Sequence, residues 1–446
     1  TGGNRVAVKV TGDKIQSYIQ GPDDPTAKEK KPLKVPFRID FNGADDGCIL
    51  RVGRETITLK INEFSDWIRL TFKTKLGLSI KGICRFCLRQ IYPHFELYVS
   101  PINIDPEYPV LPISRPSLYS KYLSKLNGLF GTLGLMEDTW ALNEGALDDE
   151  AFLKQVYLTH AEREKMLFDA LEKTRGGLCM CVFDATDRVQ HTFWRYLEQG
   201  HPSETNGDGR FKEAIPAIYE KMDTLVGRIM DALGDRDVLL VLSDHGFNSF
   251  RRCVNLNTWL VKNGYMALKD PIEGKDYFGD VDWSATRAFS LGMAGVFLNI
   301  RGRESKGIVD PRESERLKFE IAEKLRRLCD PLDGKRAIRR VYDSQKIYKG
   351  PYKEEAPDLI IGWEEGFRAS WECVTGKLKL DVFENNKKAW SGDHCVDPGI
   401  VPGVLFCNRR LAHDTPRMID IAPTVLRLFD IKIPRYMEGK ASDIIW

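Results

Sequence analysis

No stretch of this chain comes near the ~20 consecutive apolar residues that a membrane-crossing helix needs, so the sequence offers no membrane segment. It also lacks a surplus of charge: 66 Lys and Arg stand against 64 Asp and Glu, for a net charge of +2. A balance so even gives no electrostatic basis for nucleic acid or an anionic membrane as the main partner. Cysteine is too sparse, ten residues scattered over 446, to form the dense framework of a disulfide-stapled domain. That scatter argues for reduced thiols and a cytoplasmic location. The opening TGGNRVAVKV has neither a Met nor a signal peptide, which points to a native start further upstream and leaves targeting unread. Histidine is scarcest, at seven residues, so the position of each one is informative.

What is present is enough for a sizeable core: 42% of the residues are hydrophobic, at a length that suits a large α/β domain with insertions. Residues 1–100 read as β-rich. ETITLKI alternates Ile57, Leu59 and Ile61 on one face, WIRLTF alternates Ile68, Leu70 and Phe72, and FELYVS follows. Asn42-Gly43, Asp46-Gly47 and Val52-Gly53 suit short hairpin connections in an antiparallel meander. Residues 101–150 are Pro-rich and irregular (SPINIDPEYPVLPISRPS), a connection rather than a helix, because each Pro removes a donor and restricts its predecessor. Together these two regions have the character of a cap or insertion.

From 151 to 446, helical stripes alternate with short apolar runs. Ile218, Met222, Leu225 and Ile229 form one stripe, and Leu317, Ile321, Leu325 and Leu328 another. Between the helices lie GGLCMCVFD, DVLLVLSD, APDLIIGW and GVLFCN. Strands apolar on both faces and separated by helices predict an α/β domain, a mainly parallel sheet with helices on both faces. Ligands in such sheets bind beyond the carboxyl ends of the strands.

Acids and imidazoles collect at those ends. A strand ending near Asp184 is followed by Asp187 and His191, four apart and on one face if the chain turns helical there. Asp244 and His245 leave a second strand in LSDHGF, and Asp393 and His394 repeat the dipeptide in SGDHCVDPG. Each pattern alone is more often a surface pair or a polar turn than a ligand. Their joint occurrence in one predicted sheet reverses those odds, and carboxylate oxygen with imidazole nitrogen suits zinc or manganese. Other signals are weaker. Cys84 and Cys87 have CxxC spacing but no second pair, and read as strand residues. Asp184 is a secondary ligand candidate whose simpler role is to end its strand. His201 and His413 lie by Pro-containing turns and read as surface residues.

The segments TDRVQHTFW, LSDHGF, WSGDHCVDPGIVPGVLF and IDIAPTVLRLFDIKIPRYMEGK together resemble the alkaline phosphatase superfamily, and most closely its type I phosphodiesterase/nucleotide pyrophosphatase branch. The resemblance runs from about Gly176 to the C-terminus. It implies two divalent metal ions, zinc before manganese. Asp187, His191 and His394 would hold one; Asp244 and His245, with an earlier Asp and a Thr or Ser nucleophile, would hold the other. Two such cations clamp a phosphoryl group while the nucleophile attacks in line. The expected activity is hydrolysis of a small phosphoester, with a phosphomutase or phosphonate hydrolase as alternatives within the superfamily.

The resemblance has one gap. Its nucleophile segment, a strand ending in Asp followed by Thr or Ser at a helix start, has no counterpart here; FRIDFNGADDG has the acids but no such hydroxyl. The expectation is a nucleophile outside this chain and a fragment inactive by itself. The competing reading is a non-catalytic metal-binding scaffold that lacks the nucleophile altogether.

Overall fold

A computed structural model describes residues 6–41, 47–203, 209–269, 274–412 and 415–445. Of the sequence expectations, those for Asn42, Gly43, Asp46 and His413 lie outside the described residues. The chain divides into two compact units, Thr1–Val189 and Gln190–Trp446.

In the first unit, period-2 alternation gives an antiparallel sheet. Val10–Thr11, Lys14–Asp23, Pro32–Phe41, Gly47–Val52 and Glu55–Lys60 follow one another as five neighbouring strands. Ile15, Ile19, Val35, Ile39, Leu50, Val52 and Leu59 point inward and are buried. Gly53 and Arg54 alone link the last two strands, with Gly53 at φ 59°, the positive value that a two-residue hairpin of this kind requires. Ile68–Lys73 pairs with Ser79–Cys84, and Phe86–Gln90 with Glu96–Val99. Cys84 and Cys87 fall in these strands, fully buried, and burial pushes both thiols up. The CxxC spacing is core packing.

Among the described residues, the stretch 101–150 holds one short strand, Asn103–Ile104, and, past its prolines, the helices Tyr119–Asn127 and Thr139–Asn143, so the irregular connection expected there is confined to its Pro-rich first part. The long helix Asp149–Lys173 begins where Asp148 accepts the Ala151 N–H at 2.9 Å. Asp149 and Glu150 in its first turn and Lys173 in its last complement the helix dipole.

The second unit is built on a four-stranded sheet ordered Ala288–Leu291, Gly295–Leu298, Leu359–Trp363, Ile338–Asp343. The stripe Leu317, Ile321 and Leu325 of the helix Ser314–Leu325 is buried in its core, with Leu328 packed alongside. Ile218 and Leu225 are buried on the helix Ala214–Ala232. A second sheet centres on Asn248–Val254, which pairs with Gly366–Ala369, Phe383–Asn385 and Gly392–Asp393. Leu240–Leu242 pairs with Leu405–Cys407.

The α/β expectation therefore holds as mixed sheets with helices, but a mainly parallel sheet is not what the described strands form. Asn248–Val254 with Gly366–Ala369 is parallel, and the other strand pairs are antiparallel. An apolar run on both faces marks a strand covered on both sides, whichever way it runs. The run APDLIIGW forms Leu359–Trp363, which lies antiparallel to Gly295–Leu298 on one side and to Ile338–Asp343 on the other. The expected strand in GGLCMCVFD also departs. It joins no ladder among the described residues, and Leu178, Met180 and Val182 are exposed. No helix among the described residues is long and apolar enough to cross a membrane.

Candidate functional site

Asp187 and His191 share the helix Ala185–Phe193, one in its first turn and one in its last, on one face as their spacing predicts. Asp184 starts this helix: its carbonyl accepts the Arg188 N–H at 2.9 Å, while its carboxylate pairs with Arg163 at 2.6 Å. The Asp187 carboxylate is paired with Arg188 at 2.6 Å. The division between the units falls inside this helix, so Asp187 belongs to the first and His191 to the second.

Within the second unit three imidazoles converge. His245 and His394 stack with ring centroids 3.6 Å apart and planes 14° off parallel, and His191 stands 5.0 Å from His394. Ring nitrogens of His245 and His394 lie within 4.8 Å of each other. Backbone bonds stitch the three segments together. Asn248, just after LSDHGF, pairs with Asp393; Ser391 donates its N–H to the His191 carbonyl at 2.6 Å; Gly246 donates to Val401 at 2.9 Å. Gly246 has to be glycine, because a Cβ there would meet the Pro402 carbonyl oxygen at 2.8 Å. Phe247 touches all three imidazoles, its ring centroid 4.7–5.5 Å from theirs.

The tautomers follow from the partners. His191 is buried, with Nδ1 at 2.8 Å from the Gly392 carbonyl oxygen. A carbonyl only accepts, so Nδ1 carries a hydrogen. His245 Nδ1 makes the same kind of contact with the Gly246 carbonyl at 3.0 Å. Metal-binding histidines commonly tie one ring nitrogen to an oxygen in this way.

The two acids beside these rings differ. Asp244 has a side chain 74% exposed, with Oδ1 3.5 Å from His245 Nε2. Asp393 is buried. Burial pushes its carboxyl up, but the Arg368 and His191 charges and the Cys395 N–H outweigh that and hold it below the usual carboxylate range. Cys395 offers its sulfur close to Asp393 and His394. Burial and the Asp393 charge raise its thiol to about 11, which leaves it neutral and a poor ligand near pH 7.

His201, expected at the surface, is buried instead. Its Nε2 donates to the Phe250 carbonyl at 3.1 Å and Nδ1 faces Ser203, so the Pro-containing turn folds inward around it. The roles of Phe247, Trp390 and Asp393 were not assigned from sequence. Their signal lay in plain view, since each sits within four residues of a singled-out histidine in LSDHGF or WSGDHC.

The donor set, imidazoles beside carboxylates, fits a divalent cation of the zinc or manganese class. A family model, type I phosphodiesterase / nucleotide pyrophosphatase, matches residues 100–383, which takes in Asp187, His191, Asp244 and His245 and ends before His394. No curated protein matches the chain.

Proposed function

The chain belongs to the type I phosphodiesterase / nucleotide pyrophosphatase family, within the alkaline phosphatase superfamily, and from that premise we propose that it is a metal-dependent hydrolase of small phosphoesters, diesters or pyrophosphates before monoesters. Asp187, His191 and His394 would hold one divalent cation and Asp244 with His245 another, zinc before manganese. A bound cation of this kind neutralises charge on the phosphoryl oxygens and orients the ester.

The chain's own residues supply the rest. Gly392 and Gly246 fix the His191 and His245 rings as donors through their carbonyls. Phe247 and Trp390 wall the imidazoles with aromatic surface. Asp244, at the exposed side, is open to an arriving ligand. The reading takes the Thr or Ser nucleophile from outside this chain. Ser391, the hydroxyl nearest to His394 in sequence, is buried and accepts the Arg195 N–H at 3.0 Å.

The observation that carries this reading is the convergence of three of the seven histidines with two Nδ1 atoms committed to carbonyls. Metal analysis tests the site: protein dialysed with zinc and desalted should retain it, and His394→Ala should not. Equal zinc in the two proteins would remove the assignment. Hydrolysis of bis-p-nitrophenyl phosphate and p-nitrophenyl phosphate by the full gene product tests the reaction. Preference for the diester supports a phosphodiesterase; preference for the monoester overturns that choice of substrate.

A further inference from the structure

Both carboxylate oxygens of Asp393 are engaged by groups other than a histidine side chain. Oδ1 accepts the N–H groups of His394 and Cys395, both at 2.8 Å, which fixes the turn that presents His394. Oδ2 accepts the Trp390 indole N–H at 2.7 Å and forms an ion pair with Arg368, whose Nε is 2.8 Å away. Arg368 and Asp393 are each about 1% exposed. The guanidinium lies over Trp371 at 4.2 Å and Phe250 at 4.8 Å. Trp390 stacks on His191 with centroids 3.6 Å apart and planes 26° off parallel, and Trp371 meets Trp390 edge-on at 5.8 Å.

We propose that Arg368, Asp393 and Trp390 form one positioning unit that sets two imidazoles at once: His394 through the backbone turn held by Asp393, and His191 through the face of Trp390. The proposal rests on the metal-site reading above for its use, but not for its geometry. A planar guanidinium between aromatic faces is rigid, and it anchors a carboxylate whose two oxygens are divided between the two tasks. Arg368 is distant in sequence from every candidate ligand, yet its ion pair reaches the residue next to His394. Groups that orient metal-binding imidazoles typically cost about 10–100-fold in metal affinity when lost. These three are positioning residues, with no contact to substrate required of them.

The test uses the zinc ion as probe, on the full chain, with Asp393→Asn and Trp390→Phe alone and combined. Asp393→Asn keeps the shape and weakens the anchor; Trp390→Phe keeps an aromatic face and removes the N–H. Each should raise the zinc Kd about 10–100-fold at an unchanged far-ultraviolet circular dichroism spectrum. The combined variant should lose less than the product of the two, because the Trp390–Asp393 bond is common to both. In metal-free protein, 15N spectra of the imidazoles should show His191 as the Nδ1–H tautomer in the wild type and a mixture in the variants. Zinc affinity and tautomers both unchanged in the variants would overturn the proposal, as would fully additive losses. If the wild type binds no zinc while the variants still shift the tautomers, the functional reading falls and the positioning unit stands. Should Asp393→Asn fail to fold, Trp390→Phe alone decides by the same two readouts.

Discussion

The dipeptide Asp-His occurs at 244–245 and again at 393–394, and the two copies live in opposite surroundings. Asp244 holds its side chain out, 74% exposed, with an oxygen 3.5 Å from its own histidine. Asp393 is about 1% exposed, turned inward to two backbone N–H groups, an indole and a guanidinium. The histidines, by contrast, end up stacked face to face. The same two letters thus give a candidate ligand in one place and an internal anchor in the other. What separates them is what arrives from far away in the chain: Arg368 and the pairing of Gly392–Asp393 with Asn248–Val254 reach Asp393.

The sharpest way to break that comparison is to truncate both acids. Asp393→Ala leaves Arg368 buried without its carboxylate and removes the acceptor from two backbone N–H groups. Removing one partner of a buried pair costs about 3–5 kcal/mol. We predict a loss of that size in urea unfolding of the full chain. A loss below about 1 kcal/mol would show that the anchor contributes little, and would place both acids in one class.

How far this was legible in the sequence depends on the range of the interactions. Short-range patterns read well: the alternation around Ile57 and Leu59, the two-residue turn after Val52, and the stripe of Leu317, Ile321 and Leu325 all appear where local periodicity puts them. Strand direction did not, because a both-faces-apolar run is the same string whether its neighbour arrives by hairpin, as Gly295–Leu298 does, or by crossover. The three histidines could be nominated from their scarcity and their place after apolar runs. Their tautomers could not, since Gly392 O meets His191 across some two hundred residues. His201 was misplaced for the same reason: its partner at Phe250 lies well beyond any local window.

His201 also marks the limit of the comparison among histidines. It is buried with both nitrogens engaged, and burial, with the Arg251 charge, pushes its pKa down from 6.5 to about 4. The unfolded chain therefore binds the proton more tightly than the folded one between those values, so stability rises with pH across that window and is lost as pH falls through it. The shift corresponds to on the order of 3 kcal/mol at full extent. Urea midpoints measured from pH 7 down to pH 4 should fall steeply, and His201→Gln should flatten that part of the curve. An unchanged slope would mean that the loss belongs to other groups.

The smallest expected effect on stability completes the contrast. Asp244→Ala removes an exposed carboxylate that props no backbone group in the fold, and changes at such positions stay within about 0.5 kcal/mol. Its urea midpoint should match the wild type. Zinc retained after desalting should nevertheless fall, because a carboxylate beside His245 Nε2 is placed to share a cation with that ring. A variant that kept its zinc and its stability would leave Asp244 as a surface acid whose neighbour happens to be a histidine, and would return the second cation to a single imidazole. A variant that lost both would show that Asp244 supports the LSDHGF turn, and the two Asp-His copies would then differ in degree rather than in kind.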